Sequence, residues 1–218
     1  MKNFLLDIKN SYRIKIAVKS DSNEIAKLEE SIFSDDSNSV SFINEIKYKN
    51  KYHILLVREI FEKNNFIINL IKKLSKLKNI FSSQLNNSPR SDFISGFIGV
   101  WFYEYESYIS TFGVREFERG KGLGELLLIQ AIYDVIYKGG KSISLEVRQS
   151  NYQAIKLYQK YGFHKVGKRK FYYSNNNEDA IIMTVNDIDS DDYKNKILYL
   201  INIHSQKWKL LGEIESPI

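Results

Sequence analysis

A chain of 218 residues, 43% hydrophobic and 14% aromatic, can fill one substantial core and is too apolar for overall disorder. It has no cysteine, which excludes a disulfide framework, a thiol nucleophile and a thiolate metal site. His53, His164 and His204 lack metal-type spacing, so no metal is expected, and the net charge of +6 is mostly lysine-borne. A basic balance suits nucleic acid or ribosome surfaces, although a solvated lysine-rich surface is the simpler account of it. No uncharged run reaches transmembrane length and the N-terminus lacks a signal core, so a soluble, cytoplasmic protein is expected.

Arg13 to Val18 alternates and reads as a first strand. Asp21 or Ser22 can cap a helix running to about Phe33. After a polar loop, residues 40–48 suggest a short helix, and Tyr52 to Val57 a strand. Residues 59–92 then interrupt. Between Asn65 and Phe81, apolar Ile67, Leu70, Ile71, Leu74, Leu77, Ile80 and Phe81 fall at helical spacing, and Lys72, Lys73, Lys76 and Lys78 give a basic side. This inserted helix either packs on the domain edge or docks on a nucleic acid, an acidic partner or a membrane surface. Phe93 to Tyr103 and Glu106 to Val114 read as paired strands.

A helix follows from Glu125 to Tyr137, closed by Gly139 and Gly140 as C-cap residues. Ser142 to Val147 is a strand, and Asn151 to Tyr161 a helix capped by Ser150 or Asn151. His164 to Tyr173 and Ala180 to Val185 form a hairpin around residues 174–177. Asp191 to Trp208 adds a last helix with apolar Tyr193, Ile197, Leu200, Ile201 and Trp208. The expected organisation is a single domain over residues 1–188, with the insertion at about 59–92, and a helical extension over 189–218.

Between strand and helix stands Arg119-Gly-Lys-Gly-Leu-Gly124. Glycines let backbone N–H groups turn inward, and a helix N-terminus offers unsatisfied donors and partial positive charge. Together they suit a pyrophosphate. The fragment alone is ambiguous. A P-loop needs Ser or Thr after Lys, whereas Glu125 follows Gly124, and the glycines at 120, 122 and 124 miss the G-x-G-x-x-G spacing. A ligand-free turn remains an alternative.

A second block, Leu145-Glu-Val-Arg148 with Ser150-Asn151, Ala154, Leu157-Tyr158 and Gly162-Phe163, changes the balance. With Arg119-x-x-Gly122-x-Gly124, Arg169, Tyr172-Tyr173 and Glu178 to Met183, it resembles the GNAT superfamily of N-acetyltransferases. Within that superfamily it is similar to the RimI-like Nα-acetyltransferases. The resemblance is strong over residues 93–185 and weak over 13–58. It implies a mixed α/β fold of the GNAT acyl-CoA N-acyltransferase type. A central mixed twisted sheet would be flanked by helices, here with an inserted helical segment and an added C-terminal helix.

The resemblance implies acetyl-CoA as co-substrate and a protein N-terminus or peptide, such as that of a ribosomal protein, as acceptor. Arg119, Gly120, Lys121, Gly122, Leu123, Gly124 and Glu125 would cradle the pyrophosphate. Phe112, Gly113 and Val114 would offer backbone to the pantetheine arm and thioester, with Gly113 marking a close approach of ligand. Asn151 would bind the same arm. Tyr158, about two helical turns on, would protonate the leaving thiolate; the bland reading is a core aromatic.

Strand alternation sends Glu146 and Arg148 to the face opposite Leu145 and Val147. Glu146 is then either the base for the amine or half of a Glu146–Arg148 ion pair. Tyr172, Tyr173 and Glu178 would contact the acceptor, or serve only edge packing and hairpin capping. One departure stands out. The family's proline and aromatic directly before the phosphate-loop Arg are replaced by Arg115-Glu-Phe-Glu118, with Phe117 one residue early. Small-molecule or lysine acetylation, and a non-catalytic acetyl-CoA-binding or ribosome-docking module, are the alternative functions.

Overall fold

A computed structural model of the protein describes residues 12–33, 51–58 and 93–210. The helix expected at 40–48 and the insertion at 59–92 lie outside these residues. The described elements are β1 (Tyr12–Ile16), α1 (Ser22–Phe33), β2 (Lys51–Arg58), β3 (Phe93–Tyr103) and β4 (Glu106–Val114). They continue with α2 (Leu123–Tyr137), β5 (Ser142–Arg148), α3 (Tyr152–Lys160), β6 (His164–Tyr173), β7 (Glu178–Val185) and α4 (Asp191–Leu210). The strands form one seven-stranded sheet in the order β1-β2-β3-β4-β5-β7-β6.

Neighbouring strands are antiparallel except β4 and β5, which are parallel. The parallel ladder runs from Glu106↔Ser142 to Ile109↔Leu145 and stops there. The cause lies on the other edge of β4. Gly99 pairs with Thr111 and Val100 with Ile109, leaving Ser110 as an extra residue. Such a bulge bends its strand and strengthens the local twist. Beyond Ser110, β4 and β5 diverge and open the sheet where the ligand was expected.

Helix α2 is apolar around much of its girth, and Leu126, Leu127, Ile129, Ala131, Ile132 and Val135 are buried against the sheet. It ends as its glycines demand. Gly139 takes φ +83°, its N–H bonds to Ile136 O, and Gly140 N–H bonds to Val135 O, the paired bonds of a Schellman motif. Leu145 and Val147 of β5 point into this core, which fixes Glu146 and Arg148 on the other face. A smaller cluster of Ile25, Leu28, Ile94 and Phe97 seats α1 on the sheet.

The C-terminal helix belongs to the main core. Tyr193, Ile197 and Leu200 are buried in it, the two aliphatic side chains contributing about 1.5–3 kcal/mol each. Among the described residues, no helix is long and apolar enough to cross a membrane.

Candidate active site

The divergence of β4 and β5 creates a cleft of about 1160 Å³. Every site residue singled out from the sequence lines it except Lys121. One side is the phosphate loop. Gly120 and Gly122 take φ +78° and +82°, a left-handed conformation that costs other residues about 1–2 kcal/mol. Gly122 is the N-cap of α2 and brings no side-chain cap, so the first N–H groups of the helix are left for a ligand. A Cβ at Gly124 would meet Phe112 at 3.6 Å and Val114 at 3.7 Å, so this glycine keeps the gap between α2 and β4 open.

The loop's base has a different construction from the family's aromatic. Residues 116–118 make a 3-10 turn, Phe117 is 62% exposed with its ring beside Phe93, and Glu118 is fully buried. Tyr12 donates to the Glu118 carboxylate at 2.7 Å and Lys121 pairs with it at 2.7 Å. The Lys121 ammonium neutralises this buried carboxylate, and the residue does not line the cleft. Arg119 braces the loop through Nε, which donates to Val114 O at 3.2 Å.

Glu125 is likewise occupied. Lys160 and Tyr161 both donate to its Oε1. Burial works against its charge, but these bonds and the nearby His204 outweigh it and hold its pKa below the usual carboxylate value. The residue's backbone N–H is what it can offer an anion.

Along the cleft floor, the hydroxyls of Ser110 and Thr111 are buried with no protein hydrogen-bond partner. Buried polar atoms are normally satisfied, so a polar ligand arm fits here. Gly113 lines the cleft, and a Cβ there would lie 2.7 Å from Ile32, so this glycine also permits the close approach of α1. Asn151 caps α3, accepting from Ala154 N–H at 3.1 Å, and lines the cleft.

Tyr158 is 6% exposed and packs between Phe112 and Phe163 while lining the cleft. Burial, and then the proximity of Tyr173, push its phenol well above the usual value, so it keeps its proton. The side chain is thus a core aromatic that keeps its phenolic proton at the wall of the cleft.

Glu146 has a 6% exposed side chain and two partners, neither of them Arg148. Tyr108 donates to Oε2, and Arg169 Nε donates to Oε1 at 2.9 Å. Burial raises the Tyr108 phenol first, and the carboxylate beside it raises it further, so Tyr108 is a lasting donor. The Glu146–Arg148 ion pair, the alternative to a base at Glu146, does not form. Tyr108 and Arg169 were missed as site residues because their meeting with Glu146 depends on cross-strand register.

Arg148 organises the hairpin instead. It pairs with Glu178 at 3.0 Å, donates to Asn175 and Asn176, and lies over the Tyr173 ring at 3.8 Å. Ser150 N–H also donates to Glu178, at 2.6 Å. Desolvation opposes the Glu178 charge, but bonds from Ser150, Arg148 and Asn176 prevail and bring its pKa down to about 2. Glu178 thus fastens the hairpin while lining the cleft.

Tyr172 and Tyr173 are sequence neighbours yet both line the cleft. Regular alternation would separate them, but Phe171 has φ +53° and the β6–β7 register shifts between Arg169 and Tyr173. Their rings meet edge-on at 5.1 Å.

The fold sets an uncapped helix N-terminus beside a cleft between two parallel strands that part, an arrangement that suits an anionic ligand. Residues 82–163 match the acetyltransferase (GNAT) family. A candidate ribosomal protein bS18-alanine N-acetyltransferase of Bacillus subtilis is 39% identical over 92 residues, 42% of this chain and 61% of the relative. The N-alpha-acetyltransferase RimI of Mycobacterium tuberculosis is 37% identical over 81 residues, 37% of this chain and 48% of the relative. The crystal structure of Arabidopsis thaliana NAA60 in complex with acetyl-CoA shares the fold. It has a TM-score of 0.58 and 15% identity, covering 80% of this chain and 98% of that one. Over its matched residues the chain is similar to the acetyltransferase (GNAT) family and to relatives of the RimI-like branch. It spans about half to three fifths of the length of these two curated relatives.

Proposed function

We propose that this protein transfers acetyl from acetyl-CoA to the α-amine of a protein N-terminus, by direct attack in a ternary complex. The observation that carries the reading is the single cleft, with the open α2 N-terminus on one side and Glu146 and Tyr158 on the other. Residues 1–188 hold all of these groups and are taken as one catalytic domain, acting in the cytoplasm.

In this reading the α2 N-terminus and the Gly120–Gly122 turn hold the pyrophosphate, by backbone N–H groups and helix dipole. Ser110, Thr111 and the backbone of Phe112 to Val114 meet the pantetheine arm, with Asn151 opposite. The bound co-substrate supplies an activated thioester. Glu146 takes the proton of the incoming ammonium, directly or through water. Each of its oxygens keeps a lone pair beyond those used by Tyr108 and Arg169. Tyr158 gives its proton to the departing thiolate. Tyr172 and Tyr173 border the acceptor entrance. Absence of cysteine excludes a cysteinyl acetyl-enzyme.

The names of the relatives favour a ribosomal protein N-terminus as acceptor. The test is acetylation of a panel of peptides with free or blocked N-termini, read by mass and by thiol release. Acetylation at the α-amine is expected, with half-maximal rate near the α-amine pKa of about 7.7–8.0. Modification confined to lysine side chains, or of peptides with blocked N-termini, would overturn the reading.

A further inference from the structure

The C-terminal helix reaches the phosphate loop. Near its start, Tyr193 donates to Tyr161 O at 2.9 Å. Further along, His204 is 3% exposed and its Nε2 lies 3.1 Å from Gly122 O. A carbonyl only accepts, so Nε2 carries the hydrogen in this contact. Gly122 O also takes the first helical bond of α2, from Leu126 N–H at 3.0 Å. Both lone pairs of this carbonyl are therefore used.

The geometry has a consequence for the opposite side of the same peptide unit. A trans peptide is planar, with C=O and N–H pointing in opposite directions. Anchoring Gly122 O from inside the protein aims the Leu123 N–H out of the helix N-terminus, where an anion would sit. Gly122 has no side chain with which to fix its own orientation and sits in a left-handed turn. Two further links hold this corner: Lys160 of α3 and Tyr161, its C-cap, bind Glu125 of α2.

We infer that His204 is a positioning residue for coenzyme binding, acting through the Gly122–Leu123 peptide, and that α4 is a built-in strut of the cradle. This rests on acetyl-CoA being the co-substrate. The inference concerns the pyrophosphate end of the ligand, and that makes it separable from a general loss of stability.

The test compares full-length wild type, His204→Ala and His204→Gln by calorimetry with two probes, acetyl-CoA and acetyl-pantetheine, which lacks the pyrophosphate. Ile197→Val serves as a control that loosens α4 without touching the loop. His204→Ala is expected to weaken acetyl-CoA about 3–10-fold, the scale of one hydrogen bond, and to leave acetyl-pantetheine unchanged. His204→Gln, which keeps a donor at similar reach, should recover most of the loss, and Ile197→Val should show none. Equal losses on both probes, or equal losses in the Ala and Gln variants, would overturn the positioning role. So would unchanged acetyl-CoA affinity in a folded His204→Ala. A wild type that binds neither probe would overturn the co-substrate assignment itself.

Discussion

The Tyr108 hydroxyl donates to Glu146 across β4 and β5, at the point where the two strands part. The last rung of the parallel ladder joins Ile109 to Leu145. Tyr108 precedes that rung on β4 and Glu146 follows it on β5. Their bond therefore spans the floor of the cleft and fixes the Glu146 carboxylate there.

Glu146→Gln is expected to lower kcat by roughly 10²–10⁴-fold, the range for a lost proton acceptor. Tyr108→Phe removes one donor and leaves Arg169 in place, so its effect on kcat should be smaller, about tenfold or less. Steady-state kinetics with a saturating peptide acceptor would measure both. Full activity in Glu146→Gln would mean that the proton leaves by another route.

Tyr158 is held protonated by burial and by Tyr173. The direction of that shift sets its pH behaviour. A proton donor works below its pKa, so a raised pKa extends its working range upward from the ordinary 10.0. Tyr158→Phe should cost roughly 10²–10⁴-fold in kcat with little change in acetyl-CoA affinity. An alkaline limb centred below pH 9 in the wild type and lost in Tyr158→Phe would contradict the assignment.

Much of this was readable in the sequence because it is local. The boundaries of β3, β4 and β6 follow from β-branched and aromatic runs and their turns, and the glycine spacing marks the start of α2. Alternation in β5 was enough to set Glu146 apart from the core. What escaped depends on register between distant strands. The extra residue Ser110 in β4 and the left-handed Phe171 in β6 leave no local signal, yet one opens the cleft and the other brings Tyr172 and Tyr173 to its edge. Partner choice escaped for the same reason. Glu146 and Arg148 lie two apart in sequence, but their ion-pair partners, Arg169 and Glu178, come from β6 and β7.

The hairpin should lose its fastening in acid. The folded-state pKa of Glu178 is lowered from 4.5 to about 2, so its stabilisation is fully present above 4.5 and fades as pH falls towards 2. Glu178→Gln removes the charge and should lower the melting temperature at pH 7. The difference in melting temperature between pH 7 and pH 3 should also be smaller in the variant than in the wild type. Identical pH dependence in both proteins would show that the Arg148–Glu178 pair carries no linked stability.

The register of β2 and β3 yields a prediction about the inserted segment. Arg58 and Phe93 are direct partners across the antiparallel ladder. Residues 59–92 therefore leave and re-enter the sheet at adjacent points, about 4.5–5.5 Å apart between Cα atoms. A hairpin loop of about 2–5 residues can close that distance. Replacing about residues 62–90 by a short polar linker should leave acetyl-CoA binding intact, as calorimetry would show. The four lysines separate docking from scaffolding. If they dock a large acceptor, changing Lys72, Lys73, Lys76 and Lys78 to Glu should slow acetylation of a ribosome-borne or full-length protein much more than of a short peptide. The gap should narrow at high salt, because exposed charges are screened within about 8–10 Å at ordinary ionic strength. Equal losses on both acceptors would reject docking and leave the segment a packing role.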